Sequence, residues 1–288
     1  MKNHRNTRRR PVSIWPFVVI ALLLMAGIGA VMAMRSANDS GSGSNDSKAS
    51  AVAAATNHYP DLEVAQYIDP ARGKGTRLLD YTGFTMAFNP ANRTPDWVGW
   101  ELLGTEVAGD EERSNDFWTD KEVEGCASYA DYTKSGYDRG HMCPSADQKW
   151  SPEAMHDCFV MTNMVPQKHE LNGVAWQTLE NKERLWAQRD SALVIVAGPI
   201  YTDADTATIG SGVRVPSACF KVLLAPYVEN PRAIGFVYPN MRAPGNMENY
   251  AMTVDEVEEL TGLDFFSSLP DELENKIESS KSFKEWDR

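Results

Sequence analysis

The chain has 288 residues, of which 42% are hydrophobic and 24% are charged, an ordinary composition for a folded globular protein. The formal net charge is -12 at pH 7, and residues 1–35 contribute +6 because they contain no Asp or Glu, so subtraction leaves -18 for residues 36–288. Such an acidic body excludes a protein that binds nucleic acid tightly through a broad basic surface. It permits an enzyme that holds phosphate through a metal ion and a few arginines.

An apolar segment without a charged residue, 14–34, follows the basic segment 1–13. About 20 helical residues, at roughly 1.5 Å each, cross a hydrocarbon core near 30 Å thick. Because the basic flank comes first, the positive-inside rule predicts a cytoplasmic N-terminus and an exported body. We interpret 14–34 as a transmembrane signal-anchor that holds the protein in the cell envelope or periplasm. The alternative is a signal peptide, cleaved to release a secreted protein.

The next segment, 35–58, is rich in Ser, Gly, Asn, Asp and Ala, which predicts a flexible linker. The folded body is therefore expected to be one domain over 59–288.

Four cysteines lie in the part that we expect to be exported: Cys126, Cys143, Cys158 and Cys219. An oxidising compartment favours at least one disulfide, and four buried free thiols are the alternative. The sequence does not choose among the three pairings.

The first elements predicted in the body are strands. The aromatic-rich stretches "FTMAF" and "WVGWELL" flank the turn residues "NPANRTPD", which predicts a hairpin. The apolar run "SALVIVAGPIY" predicts a buried strand, and "CFKVLLAPY" and "AIGFVYPN" predict further strands.

Helices are predicted in two places. The stretch "VAWQTLENKERLWAQRD", 174–190, has no Gly or Pro and spaces its apolar residues as a helix does, with Trp176 and Trp186 on the packed face. Near the end, "TVDEVEELTGLDFFSSLPDELENKIE" predicts one or two helices, of which the first begins with a capping box of Thr253 and Glu256. The final "ESSKSFKEWDR" is expected to be solvated. This element order predicts an α+β, mixed α/β protein.

A cluster of reactive residue types, "DRGH", occupies 138–141. Three ionisable groups in a row do not suit a core strand, whereas a solvated loop or one face of an active site would accommodate them. Hydrolysis of a phosphodiester needs an activated water and positive charge on the phosphate. Histidine is a base near neutral pH, and arginine contacts phosphate bidentately. We interpret His141 as a general base, Arg139 as a phosphate contact and Asp138 as a structural neighbour.

The second cluster, "PQKHELNGVAWQTLE", contains Asn172 and Glu180. Eight helical residues separate two positions by about 12 Å along the axis, too far for both side chains to bind one small ion directly. We therefore assign Asn172 as a direct ligand of Mg²⁺ through its amide oxygen, and Glu180 as a group that acts through metal-bound water. Asn172 is also a candidate helix N-cap.

Together, "DRGHMCPSAD", "TNMVPQKHELNGVAWQTLE" and "TVDEVEELTGLDFF" resemble the DNA/RNA non-specific endonuclease family, the ββα-metal nucleases of the Serratia nuclease type. The resemblance implies a central antiparallel sheet flanked by helices. It also implies a Mg²⁺-dependent endonuclease, with Mn²⁺ as a substitute metal, that cuts DNA and RNA to 5′-phosphate products. In that family an upstream arginine also meets the scissile phosphate, and Arg113 in "EERSNDFW" is the match here. The implied roles are catalysis by His141, Arg139, Glu180 and Arg113, substrate contact by both arginines, and metal binding by Asn172 and Glu180.

Two other functions fit parts of this pattern. A catalytically silent binding domain could retain the same scaffold, although the intact His, Asn and Glu argue against it. A phosphodiesterase for small, non-polymeric substrates would suit the acidic body. The remaining histidines, His156 and His169, are interpreted as surface residues. The oligomeric state is not predicted.

Overall fold

The computed structural model describes residues 64–288. The predicted basic segment 1–13, membrane segment 14–34 and linker 35–58 lie outside the described residues, as does the start of the predicted domain. None of the helices within 64–288 has the length and apolar character that crossing a membrane requires.

The described residues form thirteen strands and six α-helices. The strands are β1 Ala65–Tyr67, β2 Arg77–Tyr81, β3 Phe84–Asn89, β4 Thr94–Leu103, β5 Asp138–His141, β6 Met164–Gln167, β7 Ala192–Ile200, β8 Thr208–Ile209, β9 Val213–Arg214, β10 Ala218–Ala225, β11 Arg232–Pro239, β12 Ala251–Met252 and β13 Leu263–Phe265. The helices are α1 Tyr129–Tyr132, α2 Pro152–Asp157, α3 Gln177–Asp190, α4 Val254–Thr261, α5 Asp271–Glu278 and α6 Phe283–Trp286.

Seven strands form one antiparallel sheet in the order β12-β11-β10-β7-β4-β3-β2. Three short strand pairs, β1-β13, β5-β6 and β8-β9, lie outside it. The mixed α/β class and the central antiparallel sheet are therefore confirmed. The predicted hairpin is β3-β4, and the predicted strands are β7, β10 and β11.

The central strand β7 is buried along its whole length because both faces of the sheet are covered. Alternate residues point to opposite faces of a strand. Leu193 and Ile195 pack with Leu179 and Trp186 of α3. On the other face, Val194 and Val196 pack in an apolar cluster with residues of two helices. These are Val254 and Val257 of α4 and Ile277 of α5.

The predicted capping box at the start of α4 is present. Thr253 Oγ1 accepts a hydrogen bond from the Glu256 amide at 3.1 Å, and Glu256 Oε2 accepts one from the Thr253 amide at 2.8 Å. The helix ends at Gly262, whose φ of 70° is the left-handed conformation that glycine adopts at low cost. Local sequence therefore determines both ends of this helix.

Two expectations about burial are wrong. The end of the chain is not fully solvated, because Trp286 of α6 is buried against Trp186. The apolar spacing of 174–190 also does not mark the buried face throughout, because Val174 and Leu185 are exposed whereas Glu183 is fully buried. Glu183 is tolerated there because a buried lysine, Lys221, lies opposite it.

The expected disulfide is also absent from the described residues, in which all four cysteines are buried free thiols. Each sulfur has its own polar contact. Cys158 Sγ donates to the Met155 carbonyl at 3.1 Å, and Cys143 Sγ accepts from Gln148 Nε2 at the same distance. These cysteines behave as small apolar residues of the core.

Candidate active site

The "DRGH" tetrad forms strand β5, which pairs antiparallel with β6, so it is not the solvated loop that was one of the two alternatives. Gly140 lies opposite Val165. A Cβ at Gly140 would lie 2.1 Å from Oε1 of the fully buried Gln167, so any larger residue would collide there. This close approach explains the glycine between arginine and histidine. Positions i and i+2 of a strand share a face, which places Arg139 beside His141.

His141 is 8% exposed and packs against two aromatic rings, with ring centroids 5.6 Å from Phe117 and 4.9 Å from Phe159. Its Nε2 atom is buried without a hydrogen-bond partner. Burial, together with the charges of Arg113 and Arg139, lowers the pKa of His141 to about 3. The imidazole is therefore neutral near pH 7 and keeps an unused nitrogen.

Aromatic rings and a hydroxyl hold the two predicted arginines. The guanidinium carbon of Arg139 lies 4.5 Å from the ring centroid of Phe117 and 4.3 Å from that of Tyr129. Arg113 lies over Phe159 and donates hydrogen bonds to Ser145 Oγ and to Asn115 Oδ1. Cation–π contacts fix each guanidinium without neutralising its charge, which leaves both cations available to an anion.

Asn172 lies in a π-helical turn, Leu171–Trp176, that leads directly into α3. Such wide turns are rare and often occur at functional sites. Glu170 occupies the N-cap position, so the alternative assignment of Asn172 as an N-cap is wrong. Asn172 Nδ2 donates to Asp138 Oδ2 at 3.0 Å, and this leaves the amide oxygen as the free donor atom. Asp138 therefore orients Asn172.

Glu180 is partly buried, and it accepts no hydrogen bond from another residue within 64–288. Burial raises the pKa of Glu180 to about 7; the charge of Lys221 opposes this shift, and the carboxylates of Glu183 and Asp147 add to it. A cation bound beside Glu180 would therefore lower the pKa of Glu180 and favour the ionised carboxylate.

Below Glu180 lies a charged network that the sequence analysis missed. Arg184 donates to Asp147 at 2.8 Å, and Lys221 Nζ lies 2.7 Å from Glu183 Oε2 with both side chains fully buried. The spacing of Glu180 and Arg184, i and i+4 on one helix, was a signal that Arg184 shares the site. Lys221 comes from β10, and its position in the sequence gave no comparable signal.

All five predicted site residues line one cleft of about 440 Å³: Arg113, Arg139, His141, Asn172 and Glu180. Arg184 lines it as well. Three arginines against one glutamate give this cleft a local positive charge, although the body as a whole is acidic. The structure thus brings together residues that lie up to 67 positions apart between Arg113 and Glu180.

The oxygen donors in this cleft fit a hard divalent cation. Asn172 offers an amide oxygen whose partner nitrogen is already bonded, and Glu180 offers a carboxylate without a hydrogen-bond donor. Mg²⁺ prefers oxygen ligands, takes few from the protein and keeps several waters. The residues present therefore suit Mg²⁺ better than a metal that prefers nitrogen or sulfur.

The other histidines and the two tryptophans lie as predicted. His156 and His169 are exposed, and His169 Nδ1 is 2.8 Å from Asp138 Oδ2, which raises the pKa of His169. Trp176 and Trp186 are 1% and 3% exposed in the core.

The family model and the relatives that match this chain all describe nucleases. The family model described as DNA/RNA non-specific endonuclease matches residues 65–272. The mitochondrial nuclease EXOG of Xenopus laevis is 34% identical over 213 residues, a match that covers 68% of this chain and 60% of that protein. A nuclease of Nostoc sp. is 32% identical over 215 residues, covering 70% of this chain and 77% of that protein. The chain thus spans about three fifths of the EXOG protein but more of the Nostoc nuclease.

Mitochondrial endonuclease G of Bos taurus is 31% identical over 225 residues, covering 72% of this chain and 74% of that protein. Among solved structures, a chain of the EndoG/EndoGI complex matches with a TM-score of 0.63 and 26% identity, covering 68% of this chain and 88% of that chain.

Proposed function

The chain belongs to the DNA/RNA non-specific endonuclease family, and from that premise we propose that it is a Mg²⁺-dependent, sugar-non-specific endonuclease that hydrolyses DNA and RNA to 5′-phosphate products. One observation supports this proposal most strongly. The unpartnered Nε2 of His141, the oriented amide of Asn172 and two aromatic-bound arginines line the same cleft. These are the groups that activation of water and stabilisation of a phosphate require.

In this proposal His141 is the general base. Its neutral ring accepts a proton from the attacking water at Nε2, while the backbone of Arg139 hydrogen-bonds the ring. Burial and, in addition, the two nearby arginines keep the pKa of His141 low when the cleft holds no anion. A phosphodiester bound between them offsets their charge, so substrate raises the basicity of His141 at the moment when a base is needed.

Arg113 and Arg139 bind the non-bridging phosphate oxygens. Because Phe159 packs on one guanidinium and Phe117 with Tyr129 on the other, neither side chain has to reorganise when phosphate enters. Both contacts go to the phosphate backbone. The bases and the sugar are then not read, which accounts for a broad substrate range.

Asn172 would hold Mg²⁺ directly through its amide oxygen, and Glu180 would hold it through water. When bound, the ion supplies positive charge to the phosphate and to the leaving oxygen. Asp138 maintains the amide orientation of Asn172, and Arg184, bonded to Asp147, adds a third cation to the cleft. Mn²⁺, which has similar ligand preferences, is expected to substitute.

Cleavage of plasmid DNA and of RNA, each with Mg²⁺ and with EDTA, tests this function. We expect both polymers to be degraded with Mg²⁺ and both to persist in EDTA. No cleavage by folded protein would favour a silent binding domain, and turnover of small phosphodiesters alone would favour the non-polymeric alternative.

The predicted export of the catalytic domain, with 14–34 as a membrane anchor or a cleaved signal, remains part of the proposal. It rests on the basic and apolar pattern of the first 34 residues. Mass spectrometry of the mature N-terminus distinguishes the two forms. A protein starting near residue 34 was secreted, and an intact N-terminus in the membrane fraction indicates an anchor.

A further inference from the structure

Three carboxylates meet on the sheet face opposite the cleft. Asp255 and Glu258 lie one turn apart on α4, so they share a helix face, and Glu278 is the last residue of α5. Each of the three side chains offers a carboxylate oxygen, and these oxygens lie within 4.8 Å of one another. The two helices pack through Val257 and Ile277, so the fold itself holds the carboxylates together.

Glu278 is the unusual member of this group. It is only 4% exposed, and its Oε1 atom is buried without a hydrogen-bond partner. It also lies at the C-terminal end of its helix, where the helix dipole disfavours negative charge.

Within residues 64–288, neither Asp255, Glu258 nor Glu278 forms an ion pair with Lys, Arg or His. A buried ionised carboxylate is costly unless it is paired, protonated or bound to a metal. Glu278 thus combines a buried oxygen that lacks a hydrogen-bond partner with two further carboxylates close by, an arrangement that a bound cation would satisfy.

We propose that Asp255, Glu258 and Glu278 form a second divalent-cation site, distinct from the cleft, and that this site binds Ca²⁺. Ca²⁺ takes oxygen ligands at roughly 2.3–2.6 Å, so two ligands on opposite sides of the ion are about 5 Å apart. Mg²⁺ at roughly 2.0–2.1 Å allows only about 4 Å. The 4.8 Å limit on the oxygen separations admits the wider Ca²⁺ geometry. Mg²⁺ is usually held by one or two carboxylates, so three carboxylates suit Ca²⁺ better, and waters complete its six to eight ligands.

The role of this site is structural. Glu258 Oε1 also accepts a hydrogen bond from the Phe265 amide at 2.9 Å, so the ion would join α4, α5 and β13. An ion that binds only the folded protein adds its binding free energy to stability. Ca²⁺ is therefore expected to stabilise the protein without taking part in cleavage.

Thermal unfolding of the full chain, first in EDTA and then with excess Ca²⁺, tests the proposal. At a concentration about 100 times the Kd, Ca²⁺ should raise the Tm by about 5 °C or more. Glu278→Gln should abolish the rise, whereas Glu272→Gln, an exposed change on the same helix, should keep it. Asn172→Ala should also keep it, because that residue belongs to the cleft. Mg²⁺ at the same concentration should shift the Tm of Asn172→Ala far less.

Calorimetric titration with Ca²⁺ should give one site in Asn172→Ala and none when Glu278→Gln is added. An unchanged Tm rise in Glu278→Gln would overturn the proposal. The absence of any Tm rise in the parent protein would also overturn it, and would mean that a shared proton, not a metal ion, stabilises the three carboxylates. If Glu278→Gln does not fold, Asp255→Asn replaces it, since Asp255 is exposed and its loss should weaken Ca²⁺ binding without disturbing the core.

Discussion

On the cleft side of the central sheet, buried carboxylates face cations, whereas on the opposite side three carboxylates face one another. Asp147 has Arg184 and Glu183 has Lys221. Around Glu278 no such partner exists among residues 64–288. The comparison shows that burial of charge serves two different purposes in one fold. On the cleft side, ion pairs hold the buried carboxylates of Asp147 and Glu183 in place beneath the cleft. On the opposite side, the unpaired carboxylates would be stabilised by a cation bound from solution.

The buried pair of Lys221 and Glu183 should give the largest effect. Lys221→Met leaves the Glu183 carboxylate buried without a cation, and it should lower the free energy of unfolding by about 3–5 kcal/mol in urea titrations. Adding Glu183→Gln should recover much of the loss. Lys182→Met, which removes an exposed ion pair with Asp287, should cost at most about 1 kcal/mol. Equal costs for the two lysines would mean that burial adds nothing to the importance of the Lys221–Glu183 pair.

The catalytic part of the comparison depends on His141. His141→Ala should reduce the rate of DNA and RNA cleavage by at least about 100-fold, the lower end for loss of a general base. An unchanged Tm would show that the variant is folded. His156→Ala, an exposed change, is the matched control and should leave the rate near the parental value. A His141→Ala protein with near-parental rates would refute the base assignment.

Asp138 should show a smaller, metal-dependent effect. Asp138→Ala releases the Asn172 amide, and loss of such an orienting group typically weakens metal binding about 10–100-fold. We expect the Mg²⁺ concentration for half-maximal cleavage to rise by that factor, with partial recovery of the rate at high Mg²⁺. His169→Ala removes only an exposed partner of Asp138 and should shift this concentration little. If both variants retain the parental Mg²⁺ dependence, Asp138 does not orient a ligand.

Asp131 should give the smallest effect, seen in the pH dependence of stability. Burial alone would raise its pKa, but hydrogen bonds from Ser211 and Ser128 hold the pKa of Asp131 well below its usual range. A lowered pKa in the folded state stabilises the protein above the unfolded-state pKa near 3.9, and this contribution is lost as pH falls further.

Asp131→Asn should therefore cost on the order of 1–2 kcal/mol near pH 7 and progressively less below about pH 4. Melting temperatures of both proteins from pH 7 to pH 3 measure the difference. A gap that stays constant with pH would mean that charge on Asp131 contributes nothing.

Sequence patterns predicted much of the fold correctly because they report local constraints. Aromatic-rich stretches beside turn residues and apolar runs with Val and Ile identified the strands, and Thr253 with Glu256 identified the start of α4. The same reasoning did not predict that "DRGH" is a strand, because three ionisable residues in a row do not suit a strand that enters a core. The strand instead borders a cleft, where Arg139 and His141 face an open space.

What the sequence determined by itself is therefore the class of fold, the family and the residue types that the chemistry needs, since motif spacing and hydrophobic period depend on neighbours along the chain. Tertiary structure alone decided that Lys221 compensates Glu183, that the four cysteines are buried free thiols and that Asp255, Glu258 and Glu278 converge. These outcomes depend on which elements pack together, because burial and electrostatic partners come from residues distant in sequence, and no local pattern encodes them.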